Sequence, residues 1–324
     1  MMCPQGVASD VHLSCGNDMR TQRSLSTFVH ALSVAAALVG ASAAALAQDR
    51  PVERGRYLVT TIMACGNCHT PKDADGRPAV GKELSGGGIG FDVPPYAGLT
   101  ANITPDKDTG IGNWTDDEIK RAITHSERPN KGPNAGRPLA PMMAANFFKA
   151  LLPGDLDAIV AYLRSVPAVR NTVVVPVYRF PTQRDAFAEA DRGFTQRDMQ
   201  DKVRRGAYLA TIGHCLECHT PQGERGVLQF DTALGAGGRP FLPSSVTGLP
   251  ASWKGSVSRN ITSHPEKGIG AWRDDEVKRA ITQAVSRDGR RLEPPMAFAF
   301  YAGIREEDLD AIVAYLRTLP AVAW

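Results

Sequence analysis

The chain contains two copies of one stretch of sequence. Residues 65–71 (CGNCHTP) return as residues 215–221 (CLECHTP), and the ten residues 155–164 return unchanged as residues 308–317. The offset between matching residues stays between 150 and 158. An offset that changes so little over a chain is typical of tandem duplication. We therefore predict two copies of one domain, each of about 120 residues, an ordinary size for a small domain.

The duplication also sets the domain boundaries. We predict a first domain at residues 48–168, a connector at residues 169–200 and a second domain at residues 201–324. The connector has no counterpart inside either copy and is rich in Pro, Val and Arg, as in residues 173–176 (VVVP). We expect it to lie along the second domain.

Residues 1–47 have the pattern of a secretory signal peptide. Arginines precede an apolar run at residues 25–46, and the run ends in small residues up to Ala47. This order is typical of a segment that is removed on export. We predict cleavage after Ala47, a true start at Met19 and a periplasmic location, where disulfides can persist. The alternative is an apolar segment that is retained as a membrane anchor.

The periodic stretches of each copy are helical in pattern. One apolar stripe with helical spacing is formed by Leu156, Ile159, Val160 and Leu163. Loops are predicted between the periodic stretches, for example at residues 86–88, because Gly and Pro are frequent there and no period is visible. Loops of this length are unusual inside a small domain unless they wrap a ligand. We predict an all-α fold of two tandem helical domains with long loops.

The charge balance bears on the class of partner. Lys and Arg number 37 and Asp and Glu number 34, and both signs are mixed along the chain without a basic stripe. Proteins that bind nucleic acid usually concentrate positive charge on one face. Nucleic acid is therefore not an expected partner.

Each copy carries Cys-x-x-Cys-His, the sequence to which haem c is attached. Two thiolates add across the vinyl groups of the porphyrin, and the following histidine lies beneath the iron. Two intervening residues let one helical turn present both sulfurs to a single porphyrin edge. We predict two covalently bound haem c groups, one held by Cys65 and Cys68 and one by Cys215 and Cys218.

Three other uses of a cysteine pair fit less well. A thioredoxin-type redox pair needs a βαβ setting, which the pattern lacks. A four-cysteine zinc site would need two pairs that are 150 residues apart to come together. A disulfide within each pair requires that haem is never inserted.

Each iron would have two axial positions to fill. His69 and His219 are the predicted proximal ligands. A methionine sulfur on the other side would raise the reduction potential and leave an electron-transferring iron. Met296 and Met143 lie at the same distance before the terminal helix of their copies, so we predict both as ligands. Met142, directly after a proline, is the alternative in the first copy.

The remaining candidates have weaker signals. His125, His214 and His264 have no match in the other copy, and we expect them at the surface. Three residue types recur in both copies at matching places, and they are Trp114 and Trp272, Asn102 and Asn260, and Arg54 and Arg205. The tryptophans and asparagines could bond haem propionates, although a tryptophan packed at a helix start explains the pattern as well. The arginines could neutralise propionates or be solvated.

The chain resembles the di- and multi-haem cytochrome c subunits of bacterial periplasmic dehydrogenases that act on alcohols, aldehydes and related substrates. The resemblance rests on both CxxCHTP stretches, residues 102–118, the Pro–Met segments and the repeated residues 155–164, and it covers residues 54–320. It implies two tandem class I cytochrome c domains with a histidine and a methionine on each iron.

The same resemblance implies an electron-transfer protein that is not itself an enzyme. Its donor would be a periplasmic dehydrogenase of flavin, quinone or molybdenum type, and its acceptor a cytochrome, an oxidase or a quinone-linked complex. Membrane contact would come only through a partner or a retained N-terminus. The alternatives are a di-haem peroxidase, which needs a displaceable sixth ligand, and a sulfur-oxidising cytochrome, which usually needs an unusual ligand such as cysteine.

Overall fold

The computed structural model describes residues 50–73, 75–181 and 184–324. The predicted signal peptide at residues 1–47 and the predicted start at Met19 lie outside the described residues.

The described helices follow the duplication. In the first copy they are α1 (residues 50–57, continued by a π-helical turn at Leu58–Ile62), α2 (Cys65–His69), α3 (Asp116–His125), α4 (Ala145–Phe148) and α5 (Pro153–Ser165). The connector contains α6 (Ala188–Arg192) and a 3₁₀ turn (Asp198–Gln200). In the second copy they are α7 (Lys202–Ile212), α8 (Cys215–Cys218), a 3₁₀ turn (Glu224–Gly226), α9 (Phe230–Ala233), α10 (Asp274–Gln283), α11 (Phe298–Tyr301) and α12 (Glu306–Leu316).

The first and last helices of each copy cross at a glycine. A Cβ atom on Gly55 would lie 1.8 Å from the carbonyl oxygen of Ala158 in α5. A Cβ atom on Gly206 would lie 1.8 Å from the carbonyl oxygen of Ala311 in α12. Only glycine lets the backbones approach this closely. The crossing brings the start and the end of each copy together.

The helix starts follow their capping residues. Thr115 Oγ1 accepts from Glu118 N at 3.2 Å, and Glu118 Oε2 accepts from Thr115 N at 2.7 Å, which completes a capping box at α3. In the second copy Glu276 Oε2 accepts from Arg273 N at 2.8 Å. Arg273 has no acceptor oxygen in its side chain, so α10 keeps only half of this box.

Small sheets accompany the helices, so the prediction of a purely helical fold holds only in part. The strands are β1 (Gly90–Val93), β2 (Tyr96–Leu99), β3 (Val177–Tyr178), β4 (Pro240–Phe241), β5 (Val246–Thr247) and β6 (Ser256–Val257). One sheet has the order β3-β2-β1-β5, with all neighbours antiparallel, and β4 pairs with β6. The larger sheet therefore joins the first copy, the connector and the second copy.

The connector contacts both copies, so the expectation that it lies along the second holds only in part. Asp185 Oδ2 accepts from Leu228 N of the second copy at 3.0 Å, and Glu189 pairs with Arg204 of the second copy.

The connector also lies against the first copy. Its strand β3 pairs with β2, with Tyr178 opposite Tyr96. Asn171 Nδ2 donates to the carbonyl oxygen of Ser85 at 2.9 Å. The backbone N–H and C=O groups of the first copy's loops thus find partners in the connector, which the composition of the connector alone did not indicate.

The two copies share one hydrophobic core. Leu58 and Phe147 of the first copy and Tyr208 and Leu209 of the second belong to the same buried cluster. In the part of the chain that the structure describes, no helix is both long and apolar enough to cross a lipid bilayer.

A buried aspartate of the first copy is bound by an arginine of its own copy and by a tyrosine of the second copy. Arg54 binds Asp155 of its own copy through two hydrogen bonds, Nε to Oδ1 at 2.8 Å and Nη2 to Oδ2 at 2.7 Å. The hydroxyl of Tyr208, from the second copy, donates to Asp155 Oδ2 at 2.6 Å. Asp155 is buried, and charge-assisted hydrogen bonds offset the cost of burying its charge.

The same contact recurs in the other direction. Arg205 Nη2 lies 2.5 Å from Asp308 Oδ1, and the hydroxyl of Tyr57, from the first copy, donates to Asp308 Oδ2 at 2.6 Å. Each copy therefore supplies a tyrosine to the ion pair of the other. We call these two sets the crossed triads.

Candidate cofactor sites

One continuous cavity of about 1080 Å³ brings together the sequence-predicted site residues of both copies. Its lining includes both Cys-x-x-Cys-His motifs and the proposed methionines, and these are Cys65, Cys68, His69, Met142, Met143, Cys215, Cys218, His219 and Met296. Residues that are far apart in the chain thus converge as the haem hypothesis requires.

A left-handed residue precedes each cysteine motif. Ala64 has φ 47° and ψ 40°, and His214 has φ 42° and ψ 33°. Each ends the preceding helix and reverses the chain, so that a new helical turn begins at Cys65 or Cys215. Both thiols of a motif then lie on one short helical turn, α2 or α8.

The motif histidines are oriented by backbone carbonyl groups. His69 Nδ1 lies 2.7 Å from the carbonyl oxygen of Ala101, and His219 Nδ1 lies 2.6 Å from that of Arg259. A backbone carbonyl can only accept, so Nδ1 carries the proton and Nε2 keeps its lone pair. Burial lowers the pKa of both imidazoles and favours this neutral form. A neutral imidazole with a free Nε2 is the form that binds a metal.

The four motif cysteines are half-buried and form no disulfide. Burial raises the pKa of Cys65 to about 12 and that of Cys68 to about 11, and it raises the pKa of Cys215 to about 12. Reactive redox cysteines have a lowered pKa. The raised pKa values therefore do not mark either motif as a thioredoxin-type redox pair.

Two methionines occupy matching places. Ala145 N donates to the carbonyl oxygen of Met143 at 2.7 Å, and Phe298 N donates to that of Met296 at 3.0 Å. Each methionine stands two residues before a four-residue helix, α4 or α11. Met142 also lines the cavity, but its position in the fold is not that of Met296.

Trp114 has an unused hydrogen-bond donor beside the cavity. Its Nε1 is buried and finds no acceptor among the described residues. A buried N–H without a partner is costly, and an anionic group in the cavity would satisfy it. This donor, the free Nε2 atoms and the paired thiols together fit a haem, whose propionates are anionic.

The recurring asparagines and arginines have structural partners. Asn102 Nδ2 donates to the carbonyl oxygen of Val169 at 2.8 Å, and Asn260 Nδ2 donates to that of Val322 at 2.7 Å. Arg54 and Arg205 belong to the crossed triads and line a separate cavity of about 300 Å³. Each arginine pairs with the aspartate of its own copy that accepts a hydrogen bond from the other copy's tyrosine.

The predicted surface position is wrong for His214. Its side chain is half-buried between the copies, with the Phe148 ring at a centroid distance of 5.8 Å and Glu217 Oε2 at 3.3 Å. His125 is exposed as predicted. His264 is half-buried, and its Nδ1 accepts from Glu266 N at 3.2 Å.

Sequence reasoning missed two further residues at this site. Arg184 of the connector and Asn67 of the first cysteine motif both bond backbone carbonyls near the proposed methionines. Neither residue has a match in the other copy, so the repeat gave no signal for them.

The family model for cytochrome c matches residues 52–167 and again residues 203–320. The fructose dehydrogenase cytochrome subunit of Gluconobacter japonicus is 28% identical over 84% of this chain and 53% of its own length. The cytochrome c subunit of the quinone-type alcohol dehydrogenase of Gluconacetobacter polyoxogenes is 28% identical over 84% of this chain and 56% of its own length.

A diheme cytochrome c-type protein of Cereibacter sphaeroides is 26% identical over 80% of this chain and 82% of its own length. The chain spans little more than half the length of the two dehydrogenase subunits named above. The family model matches most of the described chain and does so once in each copy. The chain therefore belongs to the cytochrome c family and carries two tandem cytochrome c domains and two covalently bound haem c groups.

Proposed function

We propose that this protein is a di-haem electron carrier that receives electrons from a partner dehydrogenase and passes them towards the respiratory chain. The observation that carries the proposal is the convergence of two cysteine motifs, two oriented histidines and two matching methionines on one cavity. The relatives named as dehydrogenase cytochrome subunits support the class of donor, which we propose to be of flavin, quinone or molybdenum type. The acceptor would be a cytochrome, an oxidase or a quinone-linked complex.

In this proposal each motif holds one haem. Cys65 and Cys68 attach the first and Cys215 and Cys218 the second, through two thioether bonds each. When bound, each haem supplies an iron that takes up and releases one electron.

The chain's own residues set the environment of each iron. His69 and His219 would bind the two irons through Nε2, because Nδ1 donates to a backbone carbonyl. Met143 and Met296 would bind the irons through sulfur, which raises the reduction potential. Trp114 Nε1 would donate to a propionate of the first haem.

The arrangement also supports transfer between the two haems. Burial is the main cause of the raised pKa of Cys68, and the Cys218 thiol of the other copy adds to it. Burial raises the pKa of Tyr301 well above its usual value, and thiols from both copies add to that shift. Tyr301 lines the same cavity as both attachment motifs, and we propose that the electron crosses between the copies here.

We further propose export to the periplasm, with cleavage after Ala47. The domain boundaries would be residues 48–168 and 201–324, which enclose the two family matches. In this proposal haem c is attached after export, and the N-terminal signal directs that export.

The absorption spectrum and the mass of the mature protein test the proposal. We expect the mature protein to carry two covalently bound haems per chain, both low-spin, and to be reduced by a dehydrogenase that co-purifies with it. A high-spin iron with turnover of hydrogen peroxide would instead indicate a peroxidase. A colourless protein whose mass includes no haem would contradict the cofactor assignment.

A further inference from the structure

The loop that carries the first proposed methionine is held by the connector. We call residues 140–143 the first methionine loop. Arg184 Nη1 donates to the carbonyl oxygen of Pro141 at 2.7 Å, and its Nη2 donates to that of Ala140 at 2.9 Å. Its Nε donates to Ser126 Oγ at 2.7 Å, so all three nitrogens of the guanidinium are used. A planar guanidinium with several bonds fixes the backbone that precedes Met143.

The loop that carries the second methionine is held from the first copy. We call residues 294–296 the second methionine loop. Asn67 Nδ2 donates to the carbonyl oxygen of Pro295 at 2.9 Å, across 228 residues of sequence. Trp253 Nε1 and Ser256 Oγ of the second copy donate to the carbonyl oxygen of Pro294 at 3.1 and 2.7 Å. Asn67 thus bonds the residue next to Met296, one position closer than the two donors of the second copy.

The duplication places different residues at the position of Asn67. Asn67 stands just before the second cysteine of the first motif, and Glu217 stands at the same place in the second motif. The Glu217 carboxylate acts electrostatically on Arg184, whose pKa burial lowers and Glu217 raises. Asn67 therefore contacts the other copy's methionine loop directly, whereas Glu217, at the same motif position, pairs with His214 of its own copy.

Close packing keeps these contacts in register. A Cβ atom on Gly66, beside Asn67, would lie 2.7 Å from the Phe300 ring of α11. The helix that follows Met296 is therefore packed directly on the first attachment motif. A movement of one copy against the other would displace the second methionine loop.

We propose that Asn67 and Arg184 are positioning residues that hold the sixth ligands of the two irons from outside their own domains. Asn67 acts on the iron of the second copy and Arg184 on the iron of the first. The inference rests on the proposed ligation by Met143 and Met296. It goes beyond that function because it makes the coordination of the second iron depend on the attachment motif of the first, and that of the first iron depend on the connector.

Two parent variants allow the sulfur ligand of each iron to be observed separately. In Met143→Ala the remaining sulfur-to-iron charge-transfer band belongs to the second iron, and in Met296→Ala it belongs to the first. Added imidazole competes with the remaining methionine, and its apparent affinity reports how firmly the sulfur is held.

Adding Asn67→Ala should act on one parent only. In the Met143→Ala parent we expect imidazole to displace Met296 about fivefold more readily, the effect of losing one hydrogen bond. In the Met296→Ala parent we expect no change. Asn113→Ala, which removes an amide donor to the carbonyl of Lys107, is the matched control and should change neither. Asn67→Asp removes the same donor at equal volume if the alanine variant folds poorly.

Arg184→Ala should act on the opposite parent. We expect imidazole to displace Met143 about tenfold more readily in the Met296→Ala parent, because a charged donor is lost from two carbonyls. Arg179→Ala is the control, since this connector arginine binds Val93 and Asp92, away from the methionine loop.

The outcomes distinguish this inference from the proposed function. If both parents show their single band but Asn67→Ala changes neither iron, or changes the first, the positioning role is wrong. If the parents keep the bands of both irons, the methionine ligation itself is wrong, and the inference is overturned with it.

Discussion

At the scale of single residues, the sequence predicts those site residues that lie close together in the chain. The cysteines and histidines lie within five consecutive residues of each motif, so sequence spacing fixes their geometry. Asn67 and Arg184 could not be predicted in the same way, because their partners Pro295 and Pro141 are 228 and 43 residues away in the sequence. Contacts of this range depend on how the copies pack, and no local pattern records them.

The choice between the two methionines of the first copy belongs to this scale. Met143→Ala should remove the sulfur-to-iron band of the first haem and lower its reduction potential, because the thioether favours the reduced iron. Met142→Ala should leave both unchanged, since Met142 does not stand in the position of Met296. Absorption spectra and redox titration of the two variants would decide the assignment, and the reverse pattern would identify Met142 as the ligand.

At the scale of elements, the helices were predictable and the strands were not. The stripe through Leu156 and Leu163 predicted α5, because a helix repeats its apolar face within the element itself. Strands of two to four residues carry too few alternations to be recognised. Strand β3 is the clearest case, since its pairing with β2 places the first half of the connector on the first copy.

The helix crossings allow a sharp test of packing. Gly55→Ala should destabilise the folded protein by about 3 kcal/mol, because the new Cβ collides with the backbone of α5 and forces the helices apart. Gly154→Ala is the control, since a Cβ at this helical position has nothing within 4 Å and should change the free energy of unfolding by less than about 1 kcal/mol. Chemical denaturation of the haem-loaded protein measures both. If both variants changed the free energy of unfolding equally, helix propensity and not the helix crossing would explain the change.

At the scale of the whole molecule, the two copies pack against each other over a shared core. Residues 50–324 form a single compact unit, with a shared core and the crossed triads between the copies. The duplication predicted two domains but not this interface. Tyr57 and Tyr208 recur in the repeat and could have been noticed, but only the structure shows that each tyrosine bonds the other copy's aspartate.

The crossed triads should make unfolding cooperative. Tyr57→Phe and Tyr208→Phe should each cost about 2 kcal/mol, because each removes a hydrogen bond to a buried carboxylate. The double variant should unfold in two calorimetric transitions where the parent protein shows one. Tyr162→Phe, whose side chain packs beside Gly55 within the first copy, is the control and should keep the single transition. A double variant that still unfolds in one step would mean that the apolar core alone couples the copies.

The mixed origin of the larger sheet has a consequence for biogenesis. The β1–β2 hairpin of the first copy is flanked by β3 on one side and by β5, at residues 246–247, on the other. In N-to-C synthesis one edge of that hairpin stays open until about three quarters of the chain has appeared. The sheet whose residues Phe91 and Leu99 line the cavity is therefore complete only after β5 of the second copy has paired with β1.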